Sequence, residues 1–293
     1  MDAHFDPDSP PEGSRADWTV DQGWAAYADG EHRVWMTLYE RQRTLLAGRA
    51  CDAFLRGLDA LDLHRGGIPD FERINPELRR LTGWTVVAVP GLVPDAVFFE
   101  HLANRRFPAG RFIRGADQLD YLREPDVFHD VFGHVPMLTD PVFADYMQAY
   151  GEGGLRALGL NRLHNLARLY WYTVEFGLLE TAQGLRLYGA GIVSSRAETV
   201  FALEDASPNR LGFDLERVMR TPYRIDDFQQ TYFVVPSLDA LLEATLRDFG
   251  PIYGRLATAS DIAIETVLPG DRVFTRGSQA YAHEQLGAAA AIQ

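Results

Sequence analysis

The chain has 293 residues, of which 46% are hydrophobic and 24% charged, and its formal net charge at pH 7 is −13. This composition is typical of a globular protein with a sizeable core, and the negative charge argues against nucleic acid or an anionic membrane as a partner, because both are bound by basic surfaces. The chain contains no lysine, so all 28 of its Lys and Arg residues are arginines. The absence of a lysine amine excludes Schiff-base catalysis, a pyridoxal phosphate anchor and a Walker-type phosphate loop.

Residues 1–17 are rich in Pro, Asp, Ser and Gly and are predicted to form a disordered N-terminal segment. They contain no hydrophobic signal region, and no run of about 18 apolar residues occurs in the chain. We therefore expect a cytoplasmic protein without a membrane span. The single cysteine, Cys51, excludes an intramolecular disulfide and an iron–sulfur cluster.

Apolar spacing and capping residues predict helices, in chain order, over 20–63, 69–81, 94–104, 140–151, 161–181 and 237–256. Runs of β-formers bounded by turn residues predict short strands over 85–89, 111–113, 185–188, 223–225 and 232–235. Repeating strand–helix–strand units are absent from this pattern. The sequence therefore predicts a mainly α fold with a few short β-strands (α+β), in a single domain over 18–256, followed by a C-terminal tail, 257–293, with little core signal.

Two histidines five residues apart, His129 and His134, are candidate metal ligands. On an unbroken α-helix they would lie about 140° apart around the axis. We expect Gly133 to end the helix in a left-handed conformation and to turn His134 back toward His129. Two convergent imidazoles would form half of a metal site, whereas one capping and one core histidine is the alternative that the spacing leaves open.

Glu175 is the one carboxylate in the apolar run 169–179. A carboxylate buried there must be paired, protonated or bound to a metal, and Arg168, about 10 Å away along the axis, is too far to pair with it. With two histidines it would complete the 2-His-1-carboxylate set of non-haem Fe(II) sites, although the same ligands suit a hydrolytic zinc site. The neighbouring Trp171 and Phe176 favour an aromatic substrate over a peptide.

Two further segments offer polar groups for a small ligand. The glycine-containing turn at 188–195 carries Ser194, and Arg114 follows a predicted strand. Arginine is the natural bidentate partner of a carboxylate, including that of an amino acid. An ordinary tight turn and a surface ion pair are the simpler alternatives.

Three motifs occur in order along the chain. They are Glu-Pro-Asp-x-x-His-x-x-x-Gly-His-Val-Pro at 124–136, Tyr-Trp-x-Thr-Val-Glu-Phe-Gly-Leu at 170–178 and Tyr-Gly-Ala-Gly-x-x-Ser-Ser at 188–195. Together they resemble the pterin-dependent aromatic amino acid hydroxylases, and most closely the bacterial members that act on phenylalanine. The likeness extends over about half of the chain.

The resemblance implies the catalytic fold of that family and the hydroxylation of L-phenylalanine to L-tyrosine. The reaction would use O2 and tetrahydrobiopterin or a related tetrahydropterin at a non-haem Fe(II). Hydroxylation of tryptophan or tyrosine stays open within the family, and a zinc hydrolase stays open outside it. Carried over residue by residue, the resemblance makes His129, His134 and Glu175 the iron ligands.

The resemblance also assigns the other contacts of the site. Substrate contacts fall on Arg114, Pro125, Trp171, Phe176 and Ser194. Pterin contacts fall on Gly91, Val93 and Phe98, and catalytic positioning roles fall on Tyr121 and Tyr170. Because the chain lacks a clear C-terminal helix with sustained heptads for tetramerisation, we expect a monomer or a weak dimer.

Overall fold

The computed structural model describes residues 9–120 and 124–291. The chain divides into two compact units, Met1–Thr44 with Asp52–Asn161 and Leu45–Cys51 with Arg162–Gln293. Helices outnumber strands, so the prediction of a mainly α fold with a few short strands is confirmed. Across the described residues, no helix has the length and apolar character needed to cross a membrane.

The elements of the first unit, in chain order, are a short 3-10 helix Trp24–Ala26, α1 (Asp29–Leu46, which runs into the second unit), α2 (Asp52–Ala60), α3 (Phe71–Thr82), β1 (Thr85–Val89), α4 (Asp95–Ala103), β2 (Arg106–Gly110), a π-helix Phe128–His134, a 3-10 helix Met137–Thr139 and α5 (Pro141–Gly159). Strands β1 and β2 pair in parallel, with Thr85 opposite Arg106 and Val89 opposite Gly110.

The elements of the second unit are α6 (Leu163–Tyr170), a π-helix Trp171–Glu175, β3 (Leu178–Thr181), β4 (Gly184–Leu187), α7 (Ala190–Val193), α8 (Arg196–Glu204), β5 (Asn209–Gly212), α9 (Leu215–Met219), β6 (Thr231–Val235), α10 (Leu238–Thr245), α11 (Phe249–Leu256), β7 (Val273–Thr275) and α12 (Ala280–Ala291). The five strands form one sheet in the order β4-β3-β6-β5-β7, with antiparallel pairs at its two ends and parallel pairs in between. All five residues of β6 are buried.

Capping residues fix several helix ends where the sequence predicts them. The Asp70 side chain accepts the N–H of Glu72 at the start of α3, and Gly83 ends that helix with a φ of 80°. Asp140 accepts two N–H groups at the start of α5, with Pro141 in the first turn. These ends are confirmed because each depends on one local residue whose backbone or side chain satisfies the free groups of the helix.

Helix α5 continues to Gly159, so its predicted end at residue 151 is wrong. The glycines inside it mark close packing against α4. A Cβ at Gly151 would lie 2.4 Å from the backbone nitrogen of Ala103, and one at Gly154 would lie 2.1 Å from the ring of Phe99. Glycine is required there for space and does not end the helix.

Two predicted helices are interrupted and one is too long. The 20–63 pattern contains α1 and α2, separated at Gly48 with a φ of 73°, and the 237–256 pattern is divided where Asp248 caps α11. The 161–181 helix ends at Glu175, after which the chain enters β3. In each case a local cap or a sheet partner ends a run that apolar spacing alone would continue.

The predicted strands at 111–113 and 223–225 are wrong, and the pairing strand of β1 is 106–110. At 223–225 the backbone of Arg224 bonds the side chain of Gln229 in place of a neighbouring strand: its N–H donates to Oε1 at 3.2 Å, and its carbonyl accepts from Nε2 at 2.6 Å. A side chain thus satisfies the groups that a sheet would have paired.

The domain boundaries drawn from the sequence stay predictions. Residues 1–8 of the segment predicted to be disordered lie outside the described residues. Within the described part, Asp17 pairs with Arg106 at 2.8 Å. The segment 257–291 contributes β7 and α12.

We expect Gly154→Ala to lower the free energy of unfolding by about 1–3 kcal/mol, because its Cβ would overlap the Phe99 ring in a packed core. Chemical denaturation followed by circular dichroism measures the change. Gly153→Ala is the matched control on the same helix: its Cβ meets one Arg156 nitrogen at 3.9 Å, so we expect a gain of up to about 1 kcal/mol. Equal effects of the two substitutions would contradict close packing at Gly154.

Candidate active site

The two candidate histidines converge because their segment is a π-helix. Residues Phe128–His134 are π-helical, and this geometry brings residues five apart onto one face. The Nε2 atoms of His129 and His134 lie 3.3 Å apart, with the ring planes at 84°. The predicted convergence is confirmed. Its predicted cause is wrong, because the helix continues through Gly133, which has no positive φ.

Glu175 ends a second π-helix, Trp171–Glu175, and is 8% exposed. The N–H of Phe176 donates to the carbonyl of Trp171, five residues back, at 2.8 Å. Arg168 forms an ion pair with Asp261, in which each of its two Nη groups donates to one carboxylate oxygen at 2.7 Å. As predicted, Arg168 is not the counter-charge of Glu175.

The segment 188–195, predicted as a turn, contains the short helix α7, and its glycines give Glu175 its space. A Cβ at Gly189 would lie 2.5 Å from the carbonyl oxygen of Glu175, and one at Gly191 would lie 3.3 Å from its carboxylate Oε2. Ser194 is buried, and its Oγ donates to the carbonyl of Ala190 at 2.7 Å. The turn is therefore packed against the glutamate and is more than a surface connection.

Three side chains form a metal-ligand cluster. One ligand atom each from His129, His134 and Glu175 lies within 4.8 Å of the others. Two nitrogens that each bind a cation at about 2.1 Å lie at most about 4.2 Å apart, so the 3.3 Å separation of the histidine nitrogens fits a shared ion. Two imidazoles and one carboxylate are a donor set of non-haem Fe(II), and zinc accepts the same set.

Arg114 is held by a buried carboxylate that the sequence analysis did not single out. Its Nε and Nη2 donate to the two oxygens of Asp126, both at 2.8 Å, and its backbone N–H donates to the same carboxylate at 3.0 Å. The N–H of His129 donates to Asp126 as well, at 3.0 Å. Asp126, which is fully buried, thus connects the arginine to the backbone of a candidate metal ligand.

The charge of Asp126 is maintained by these donors. Burial by itself raises the pKa of this carboxyl, but the hydrogen bonds and charge of Arg114 and the N–H groups of Arg114 and His129 outweigh burial and hold the pKa below its ordinary value. The sequence contained an indication of this role, because Asp126 lies three positions before His129, and an aspartate at this spacing commonly caps the start of a helix by accepting a backbone N–H. Asp126 binds the Nε and Nη2 groups of the guanidinium and does not bind its Nη1 group.

The aromatic candidates differ in their surroundings. Pro125 is exposed and directly precedes Asp126. The rings of Trp171 and Phe176 lie 5.2 Å apart. Tyr223, which the sequence pattern placed in a strand, stacks on Trp171, with the two ring centroids 4.4 Å apart and an angle of 17° between the ring planes.

The candidate pterin residues lie around the start of α4. Gly91 and Val93 are half-buried in the link between β1 and α4, and Phe98 is half-buried within that helix. Of the two candidate tyrosines, Tyr170 is the last residue of α6. Tyr121 lies outside the described residues.

Comparison with known proteins gives one family and many relatives. Residues 23–255 match the family model of the biopterin-dependent aromatic amino acid hydroxylases. The phenylalanine-4-hydroxylase of Caulobacter vibrioides is 76% identical over 273 residues, 93% of this chain and 93% of that protein. The phenylalanine-4-hydroxylase of Ralstonia nicotianae is 60% identical over 265 residues, 90% of this chain and 85% of that protein.

Solved structures give the same result. The iron- and phenylalanine-bound crystal structure of phenylalanine hydroxylase from Chromobacterium violaceum is 54% identical and has a TM-score of 0.86, covering 89% of this chain and 96% of that one. The structure of the same enzyme with bound Fe(III) has a TM-score of 0.86 at 55% identity, covering 91% of this chain and 96% of that one.

We expect Asp126→Asn to lower the free energy of unfolding by about 3–5 kcal/mol at neutral pH, because it leaves the buried Arg114 guanidinium without a counter-charge. Since the pKa of Asp126 is lowered in the folded state, its contribution is complete above the unfolded-state pKa and is lost as the pH falls through the folded-state pKa. Urea unfolding at several pH values measures this.

Asp261→Asn is the control for that substitution. It breaks an arginine pair whose carboxylate is 57% exposed, and we expect a loss of at most about 1 kcal/mol. A loss of that size in Asp126→Asn would contradict the structural role given to Asp126.

Proposed function

We propose that this chain, which belongs to the biopterin-dependent aromatic amino acid hydroxylases, hydroxylates L-phenylalanine to L-tyrosine at an iron held by His129, His134 and Glu175. It is a monooxygenase that uses O2, a tetrahydropterin and a non-haem Fe(II). The observation that carries the proposal is the cluster of three ligand atoms within 4.8 Å of one another.

The donor set by itself leaves zinc hydrolysis open. Iron is favoured because relatives that are 76% and 60% identical to this chain over the aligned residues are phenylalanine-4-hydroxylases. When bound at these residues, the iron would activate O2, and the reduced pterin would supply two of the four electrons that O2 takes up, while the other two would come from the substrate. The protein supplies the ligands, the orientation of the substrate and the exclusion of water.

The carboxylate of the amino acid is assigned to Arg114. Asp126 takes the Nε and Nη2 donors and so leaves the Nη1 end, with its two N–H groups, for the substrate. Because the guanidinium is already fixed by a buried partner, little side-chain entropy is lost when it binds a second carboxylate. Ser194 is assigned a supporting contact to the same amino acid.

The ring of the substrate is assigned to Trp171 and Phe176, with Pro125 as a third contact. Aromatic rings about 5 Å apart offer a broad apolar surface, and the 5.2 Å pair of Trp171 and Phe176 is of this kind. These two rings act by orienting the substrate, so that one of its ring carbons faces the oxidant. No charged side chain is needed as a base.

The pterin is assigned to Gly91, Val93 and Phe98, where the half-buried phenylalanine offers a face for stacking. Tyr121 and Tyr170 are assigned positioning roles. A monomeric state and a cytoplasmic location stay predictions.

We expect anaerobically Fe(II)-loaded protein to form tyrosine when phenylalanine, a tetrahydropterin and air are added, and to form none when iron, pterin or air is omitted. Chromatography with fluorescence detection measures tyrosine, and parallel samples with tryptophan in place of phenylalanine measure substrate preference. Product from tryptophan but not from phenylalanine would contradict the assigned substrate.

We expect Glu175→Gln to weaken iron binding and tyrosine formation by at least roughly tenfold, the smallest effect usual even for residues that only support a metal ligand. Iron content after dialysis, measured by a chelator assay, gives a readout independent of turnover. Glu180→Gln is the matched control, because Glu180 pairs with Arg272 at the surface and should leave both quantities unchanged. Retention of iron by Glu175→Gln would overturn the ligand assignment.

A further inference from the structure

The segment 220–230, which joins α9 to β6 and is called here the α9–β6 loop, contacts the Trp171–Phe176 pair, which is called here the aromatic wall. The ring of Tyr223 in this loop stacks on that of Trp171, with the centroids 4.4 Å apart and an angle of 17° between the ring planes. The centroids of the Trp171 and Phe176 rings lie 5.2 Å apart. A nearly parallel ring at this distance restricts tilting of the indole. The orientation of Trp171 therefore depends on where the loop holds Tyr223.

Several contacts fix the loop next to Tyr223. The hydroxyl of Tyr172 donates to the carbonyl of Pro222 at 2.5 Å. The side chain of Gln229 bonds both backbone groups of Arg224, at 2.6 and 3.2 Å. Residues 222 and 224, on either side of Tyr223, are thus both held.

The far end of the loop is fixed by Tyr281, the second residue of α12. Its hydroxyl donates to Oδ1 of Asp227 at 2.7 Å, and the same oxygen accepts the N–H of Phe228 at 2.8 Å. The other carboxylate oxygen lies 3.4 Å from Nη2 of Arg224. Asp227 thus links the C-terminal helix to the residue that follows Tyr223.

Ring contacts reinforce this link. Phe228 stacks on Phe201 of α8 at 4.3 Å and 18°. The Tyr281 ring packs against both, at 5.2 Å from Phe228 and 5.4 Å from Phe201. Removal of the Tyr281 hydroxyl therefore leaves the ring cluster in place and deletes one bond to the loop.

The position of Tyr281 is itself fixed by backbone docking. Its N–H donates to Oγ of Ser207 at 3.0 Å, and the N–H of Gln279 donates to the Ser207 carbonyl at 2.9 Å. A Cβ at Gly277 would lie 2.1 Å from that carbonyl oxygen, so the chain approaches at a distance that only glycine permits. The side chain of Gln279 also donates to the carbonyl of Gln230, at the end of the loop.

We propose that Tyr281 and Asp227 are positioning residues for substrate binding, which act by holding the α9–β6 loop so that Tyr223 orients Trp171. The proposal deepens the proposed function and rests on it, since it takes Trp171 to be the wall of the phenylalanine site. Tyr281 lies beyond residues 23–255, over which the chain matches its family. The C-terminal segment thereby contributes to substrate affinity from outside the matched region.

The expected signature is a change in KM with little change in kcat. A wall that contacts the ring in the bound substrate and in the transition state contributes equally to both, and its loss raises KM alone. We expect Tyr281→Phe to raise KM for phenylalanine by roughly three- to tenfold, the range that couplings through packed networks produce. Calorimetry of phenylalanine binding to the iron-loaded protein should show the same loss of affinity.

Glu180→Gln serves as control, because it removes another polar contact of the C-terminal segment, that of Arg272, without touching the loop. It should leave KM unchanged. An unchanged KM in Tyr281→Phe, or equal changes in both variants, would overturn the proposal. So would a fall in kcat that follows a fall in melting temperature at constant KM, since that pattern is merely structural.

A double-mutant cycle tests whether Tyr281 acts through Asp227. If it does, Asp227→Asn combined with Tyr281→Phe weakens phenylalanine binding by less than the product of the single effects, while independent action gives the product and contradicts the proposed route. Failure of the proposed function is separately visible: wild-type protein would then make no tyrosine, whereas the calorimetric comparison of wild type and Tyr281→Phe still decides the positioning role.

Discussion

A carboxylate cannot be buried as an ion without a counter-charge, and two buried carboxylates in this protein meet that condition in different ways. Asp126 is fully buried and takes a bidentate arginine, Arg114, together with two backbone N–H groups. Glu175 is almost as buried and belongs to the metal-ligand cluster with His129 and His134. In the first case the charge fixes Arg114, to which we assign the substrate carboxylate, and in the second it belongs to the donor set to which we assign the iron. The chemistry of the site follows from how each charge is compensated.

Both ligand-bearing segments are π-helices, and this geometry explains why the metal site was only partly predictable. The residue types and their order in the chain identified all three members of the cluster, His129, His134 and Glu175. The way in which residues five apart converge was not predictable from α-helical spacing, because a single wider turn changes which residues share a face. The sequence therefore identified the pair of histidines that converge, but it attributed their convergence to a helix end at Gly133, where the helix in fact continues.

For the other elements, the accuracy of the prediction depended on how far apart in sequence the interacting residues lie. Strand β1 and the helix start at Asp140 depend on neighbours in sequence and were predicted. The loop around Tyr223 is decided by Gln229 and by Tyr281, 58 positions further on, and was mistaken for a strand. Asp126 was missed for a related reason, since its main partner, Arg114, is 12 positions away.

Strand β7 pairs with β5 and forms one end of the five-stranded sheet. Without it, β5 would present a row of unpaired backbone groups, and such an edge is a template for pairing with another chain. A recombinant fragment that stops at residue 255, where the family match ends, would carry this edge. We expect such a fragment to aggregate by pairing β5 with strands of other molecules, although its polypeptide still contains all three candidate metal ligands.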